Sequence, residues 1–165
     1  MSRKKIEKTN AMRILDRAGV IYEVLTYPVD ESDLSGEHAA AALGLDPAMV
    51  FKTLVLRGDK GGFLVACIPV LETLDLKALA RVSGNKRVEM IHVADLFGLT
   101  GYVRGGCRPI GMKKPFPTYL HQSAEELERM VFSAGQRGMQ IVATPADLIK
   151  AAGAQLCWIT AGQDE

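Results

Sequence analysis

Residues 51–70 read FKTLVLRGDKGGFLVACIPV. Two runs rich in Val, Ile, Leu and Phe flank the polar, glycine-bearing GDKGG, so the stretch predicts an antiparallel hairpin. Alternation along the first run puts Lys52 with Leu54 and Leu56 on one face, and Phe51, Thr53 and Val55 on the other. A lysine in an apolar stripe has three ordinary explanations: it snorkels at a sheet edge, pairs with an acid, or guards that edge against aggregation. The functional alternative is an ammonium facing a partly closed pocket, where it holds an anionic or polarised carbonyl-containing ligand.

Working outward, Met12, Leu15 and Ala18 share one helical face within residues 5–18, and Gly19 is a natural stop. IYEVLTY (21–27) reads as a strand. An Ala-rich helix over 37–43 closes at Gly44, and Asp46 with Pro47 makes a cap and first-turn pair. Beyond the hairpin, Asp75 caps LKALARV, and KRVEM reads as a strand before a short helix around HVADLFG. TYLH precedes a turn capped at Ser123, with Glu126 three residues later. RMVFSAGQRGMQIVA is a second hairpin, Thr144 and Pro145 open a helix, and QLCWI closes the pattern. Short strands among helices, with two hairpins, predict one mixed α/β (α+β) domain over 1–165 with substantial antiparallel pairing.

Composition supports that class. Of 165 residues, 48% are apolar and 24% charged, as in one globular domain. Lys plus Arg number 20 against 19 Asp plus Glu, a net +1, which excludes a strongly polybasic binder but leaves room for a local basic patch. Cys67, Cys107 and Cys157 are too far apart for a close metal-ligand pair, and their odd number favours a reducing compartment over a disulfide scaffold. No apolar run follows the basic N-terminus, so neither a signal peptide nor a membrane span is expected, and a cytoplasmic location follows.

GGCRPIG, 105–111, is the other chemically suggestive stretch. Its adjacent glycines let backbone N–H groups approach a carbonyl or carboxylate, although a purely structural turn reads the same way. It lacks the spacing of a phosphate-binding P-loop or a dinucleotide fingerprint. His38, His92 and His121 are scattered, with no zinc-hydrolase motif. Asp30, Glu31 and Asp33 crowd a loop without the pattern of a calcium site. Cys107 stands beside Arg108, which lowers a thiol pKa, but no partner base is identifiable.

FKTLVL, GGCRPIG, SAGQRG and the late TPADL together give the chain a further reading. In order and spacing it resembles the YbaK/EbsC group of the prolyl-tRNA-editing superfamily across essentially its whole length. The resemblance makes Lys52 the catalytic residue, with Thr53 beside it. Gly105, Gly106 and Pro109, with Gly111, match the family's glycine turn, where Arg108 replaces a usual serine. Ser133, Gly135, Arg137 and Gly138 match its S-x-G-x-R-G segment, and Tyr27 matches an aromatic pocket residue. Ser35 stands where a phenylalanine is common, and Gln140 where an acid sometimes occurs.

The resemblance implies a largely antiparallel mixed sheet curled into a partial barrel with flanking short helices. It implies trans-editing: removal of cysteine from mischarged Cys-tRNA(Pro), with Cys-tRNA(Cys) as a second candidate, and transient association with prolyl-tRNA synthetase. No cofactor or metal, and no membrane, is expected. The substrate's own thiolate would attack its ester carbonyl and release the tRNA, so no protein nucleophile is required. Editing of another small aminoacyl-tRNA, or a noncatalytic tRNA- or synthetase-binding module, are the alternatives. Lys113 and Lys114, just after the glycine turn, are the basic pair best placed to meet tRNA phosphates.

Overall fold

The computed structural model describes residues 8–29, 32, 36–60, 62–91, 116–134 and 138–161. Eight strands and four helices are described. The helices are α1 (Asn10–Arg17), α2 (Gly36–Leu43), α3 (Leu76–Ser83) and α4 (Pro145–Ala152). The strands are β1 (Glu23–Thr26), β2 (Phe51–Gly58), β3 (Phe63–Pro69), β4 (Val88–Met90), β5 (Thr118–His121), β6 (Met130–Ser133), β7 (Met139–Ala143) and β8 (Gln155–Cys157).

Local chemistry sets most boundaries. The side chains of Thr9, Asp75 and Thr144 accept the backbone N–H of Met12, Ala78 and Asp147, satisfying donors that the first helical turn leaves free. Asp46 does the same for a short 3₁₀ turn, Pro47–Met49. Two expectations shift. Because Thr9 is its cap, α1 begins at Asn10 rather than near residue 5. Ser123 does not cap a turn: it lies within the 3₁₀ segment Gln122–Glu126, which buries Ala124, and its hydroxyl finds no partner among the described residues.

Both expected hairpins form. β2 pairs antiparallel with β3, from Phe51 opposite Pro69 to Arg57 opposite Phe63, and β6 with β7, from Met130 opposite Ala143 to Ser133 opposite Gln140. The strands assemble into a three-stranded antiparallel sheet, β1-β7-β6, and a five-stranded mixed sheet, β4-β2-β3-β5-β8. In the mixed sheet, β3–β5 and β5–β8 are parallel. The described strands do not close into a barrel. Instead, an isolated parallel bridge between Val50 and Val131 joins the two sheets.

The main core lies between the sheets. Phe51, Val65, Cys67 and Leu120 meet Met130, Phe132, Met139 and Ile141, with Met12 and Leu15 of α1 and Leu148 of α4 closing the ends. On the other face of the mixed sheet, α3 packs Leu79 and Ala80 onto Leu56, Leu64, Ala66 and Ile68. On the other face of the three-stranded sheet, Ala40 of α2 meets Val131 and Val142, together with Val50 and Val70. Each fully buried Leu, Ile or Phe contributes roughly 1.5–3 kcal/mol from removal of its surface from water.

Candidate active site

The seam between the sheets gathers several of the expected residues. Val50 and Val131 bridge in parallel, and the Val70 N–H donates to the Val50 carbonyl at 2.9 Å. The bridge is isolated, with Lys52 two residues beyond Val50 on one chain and Ser133 two residues beyond Val131 on the other. Ser133 stands opposite Gln140, and Gln140 opposite Leu25 of β1. Side chains two residues apart share a face, so Lys52 follows Val50, Ser133 follows Val131, and Gln140 precedes Val142. Lys52, Ser133 and Gln140 are thus polar positions on the faces that carry the valines of the apolar cluster that α2 covers, with Ser133 and Gln140 directly opposed.

Lys52 is half-buried and makes no ion pair with a described residue. On the side of β2 away from β3, β4 pairs with Leu56–Gly58 and β6 bridges Val50, so Lys52 lies between the two. Thr53 falls on the opposite face, its hydroxyl 4.0 Å from the buried Cys67 sulfur. The pleat thus separates Lys52 and Thr53, adjacent in sequence, onto different surfaces.

Tyr27 directly follows β1. Its N–H donates to the Gly138 carbonyl at 2.9 Å, and its ring meets His38 of α2 edge-on, with centroids 6.2 Å apart. Gly138 has φ +79°, and a Cβ there would lie 2.8 Å from the Tyr27 carbonyl oxygen and 2.8 Å from Val29 Cγ2. Only glycine combines that left-handed backbone with so close an approach.

The glycine turn (Gly105, Gly106, Pro109), the basic pair Lys113 and Lys114, and Ser35, Cys107 and Arg108 all lie outside the described residues. The described chain leaves toward them at Ile91, whose N–H donates to the Val55 carbonyl at 3.3 Å, and returns at Phe116, whose ring lies 5.7 Å from Phe63. Ile91 is thereby anchored on β2 only three residues along from Lys52.

The remaining reactive groups are structural. Burial pushes the Cys157 thiol up to about 11, so it stays protonated near neutrality. His121 passed as unremarkable in the sequence, yet it is 1% exposed and central to one end of the mixed sheet. Its Nδ1 accepts the Ile159 N–H at 3.2 Å and its Nε2 lies 3.3 Å from the Thr160 hydroxyl, while Trp158 packs edge-on at 4.6 Å. Burial pulls its pKa down, which keeps the imidazole neutral and consistent with an accepting Nδ1. No sequence spacing could have announced this role, because its partners lie 38 residues and more away. Among the described residues no three His, Cys, Asp or Glu side chains converge as a metal site, and no helix is long and apolar enough to cross a membrane.

Comparison with known proteins adds the following. The family model for the aminoacyl-tRNA editing domain matches residues 32–151. A protein of Enterococcus faecalis named "Putative Cys-tRNA(Pro)/Cys-tRNA(Cys) deacylase EbsC" is 48% identical over 161 residues, spanning 97% of this chain and 98% of its own length. The solved structure of "a putative trans-editing enzyme for prolyl tRNA synthetase" superposes with a TM-score of 0.79 at 25% identity, covering 94% of this chain and all of the other. That of "hypothetical protein APE2540" gives 0.82 at 20% identity over 90% of this chain and 97% of its own, a likeness of fold alone.

Proposed function

The chain belongs to the aminoacyl-tRNA editing domain family, and from that premise we propose that it is a trans-editing deacylase that clears cysteine from mischarged Cys-tRNA(Pro). The observation that carries this reading is the 48% identity, end to end, with the E. faecalis protein. Cys-tRNA(Cys), which that protein's name also includes, is the second substrate to test. The reaction is useful because proline and cysteine are close enough in bulk that one binding site separates them poorly.

In the proposed mechanism the cysteinyl ester lies along Lys52, Ser133 and Gln140. The substrate thiolate attacks its own ester carbonyl carbon, and the bond to the terminal ribose oxygen breaks. A cyclic thiolactone forms, and the released ribose oxygen takes up a proton. The Lys52 ammonium, at the margin of an apolar cluster, stabilises negative charge developing on the carbonyl oxygen more strongly than it would in open water. Gly105, Gly106 and Pro109, matched by resemblance to the family's glycine turn, are assigned to assist there. Ser133 and Tyr27 orient the aminoacyl group. Thr53, on the other face of β2, supports Lys52 through the strand rather than by contact with the ester. Holding thiol and carbonyl together makes the attack intramolecular, so the protein needs no nucleophile or cofactor of its own.

The partners in this reading are mischarged tRNA(Pro) and, transiently, prolyl-tRNA synthetase. Residues 1–165 act as one editing domain in the cytoplasm. Cys67 and Cys157, which form no disulfide, suit such a reducing compartment.

A panel of aminoacylated tRNAs tests the assignment: cysteinyl-tRNA(Pro) should be deacylated well ahead of alanyl-, seryl- and prolyl-tRNA(Pro), with the small product identified by mass. Preference for another aminoacyl group would transfer the reading to a different editing specificity, and binding without turnover would leave only a binding module.

Gly138→Ala offers a separate check on the placement of Tyr27. The left-handed backbone costs a non-glycine residue about 1–2 kcal/mol. At this chain length that lowers the melting midpoint by about 2–8 °C. Because the new Cβ would press on the Tyr27 carbonyl, catalytic efficiency should also fall by about tenfold while the circular dichroism spectrum is kept. Unchanged efficiency in a folded variant would remove Tyr27 from the pocket.

A further inference from the structure

The far end of β2 carries a second constellation. A cavity of about 540 Å³ is lined by Arg57, Gly58, Asp59, Arg87, Val88 and Glu89. Arg57 stands opposite Glu89 on the β2–β4 ladder. Yet its guanidinium does not pair with that carboxylate and lies instead over the Phe63 ring, 5.2 Å from its centroid. Arg87 also makes no ion pair with a described residue. Asp59 is committed elsewhere: its Oδ1 accepts the backbone N–H of Lys86 at 2.8 Å and of Arg87 at 3.2 Å. The Arg87 N–H, foremost, holds its carboxyl below the usual range.

The corner is also rigid. The Asp59 N–H donates to the Arg87 carbonyl at 3.0 Å, and the Gly58 N–H to the Gly62 carbonyl at 2.8 Å. Asn85 sits so close to Gly58 that a Cβ there would lie 2.4 Å from its Oδ1. These contacts clamp the β2–β3 turn onto the α3–β4 turn and fix the backbones that bear both arginines. Arg57, Lys60, Lys86 and Arg87 are all exposed beside the exposed Asp59 and Glu89, so this one corner carries an excess of positive charge in a chain whose net charge is only +1.

We propose that the Arg57–Arg87 corner is a docking site for the phosphodiester backbone of tRNA, separate from the pocket that holds the aminoacyl group. Planar guanidinium forks suit phosphate oxygens in bidentate geometry, and neither arginine is ion-paired with a described carboxylate. Phosphate contacts fix register without reading bases, which suits a chain with no base-reading module. Arg57 lies five residues from Lys52 on β2, about 17 Å along the strand at 3.3 Å per residue, and the odd spacing puts the two side chains on opposite faces. With the ester on the Lys52 face, the corner would meet phosphates of the RNA where it passes the β4 end of the sheet. This rests on the deacylase reading for its choice of RNA.

The test is a fluorescence titration of the full chain with labelled, uncharged tRNA(Pro) transcript across a series of KCl concentrations. R57Q/R87Q should weaken binding about tenfold at low salt and flatten the plot of log affinity against log salt by about 1.8, the slope of two released counterions. Glu89→Gln, which removes the carboxylate opposite Arg57, should tighten binding about two- to threefold. This carries the test if the double variant fails to fold. Affinity and slope unchanged in the folded double variant, or no tightening in E89Q where the double variant is unfolded, would overturn the proposal. Since the tRNA is uncharged, a parent that binds it through these arginines but deacylates nothing would sink the proposed activity and leave this surface standing.

Discussion

Lys52→Ala is expected to lower kcat/KM for Cys-tRNA(Pro) by about 10²–10³-fold, the loss found when one preorganised partner of a developing oxyanion is removed. The fold should survive. Lys52 is half-buried and pairs with no described carboxylate, so its loss leaves no orphaned buried acid among those residues. Lys52→Met separates the charge from the stem: it keeps the apolar chain against the neighbouring cluster and removes only the ammonium. Both variants should be equally slow, with melting midpoints within about 3 °C of the parent. Near-parental turnover in either would end the assignment, and recovery in Lys52→Met alone would make packing, not charge, the contribution of this residue.

The second large effect concerns the nucleophile. Ser-tRNA(Pro) differs from Cys-tRNA(Pro) by one atom, but its hydroxyl is far less acidic than a thiol. It should be released at least about 10²-fold more slowly if the substrate attacks itself. A variant with Cys67, Cys107 and Cys157 all replaced by alanine should keep turnover within about threefold of the parent. Two of these thiols already look inert. Cys67 is 2% exposed, and Cys157, with its pKa near 11, is thiolate in only about one molecule in 10⁴ at pH 7. Fast release of both amino acids would point to activated water, and loss of turnover in a folded cysteine-free variant to a protein thiol. Recovery of cysteine thiolactone from the parent reaction would identify the intramolecular path directly.

Much of the architecture was legible because its signals are local. The 51–70 hairpin follows from alternation around a glycine turn, and the caps at Asp75 and Thr144 from side chains that reach only three residues along. Ser123 failed for the complementary reason: the S-x-x-E pattern was present, but burial of Ala124 between strand and helix set the turn instead. The parallel order β3-β5-β8 could not be read, since nothing within a strand announces which distant strand will lie beside it. The site divides the same way. Lys52 was conspicuous as a cation on an apolar stripe, but the sequence left edge protection open. The surroundings of Lys52 on the side of β2 away from β3, the Val50–Val131 bridge and β4, come from contacts spanning more than thirty residues. The opposed Ser133 and Gln140 followed from the second hairpin, whereas the hold of Gly138 on Tyr27 needed the ends of the chain to meet.

That meeting has a consequence for how the enzyme is made. β1 is among the first strands to leave the ribosome, but its pairing partner β7 comes about 120 residues later, a separation that imposes slow, non-local closure. At about 5–20 residues per second, the segment ending in Tyr27 waits roughly 6–24 seconds for the strand that will hold it. During that interval the hairpin bearing Lys52 has already been synthesised, but the nascent chain lacks Ser133, Gln140 and the carbonyl that fixes Tyr27. Editing capacity is therefore acquired in one late step, when the second hairpin is synthesised and captures β1. A chain truncated before residue 139 would keep Lys52 and Ser133 but lack β7, the strand that pairs with both β1 and β6.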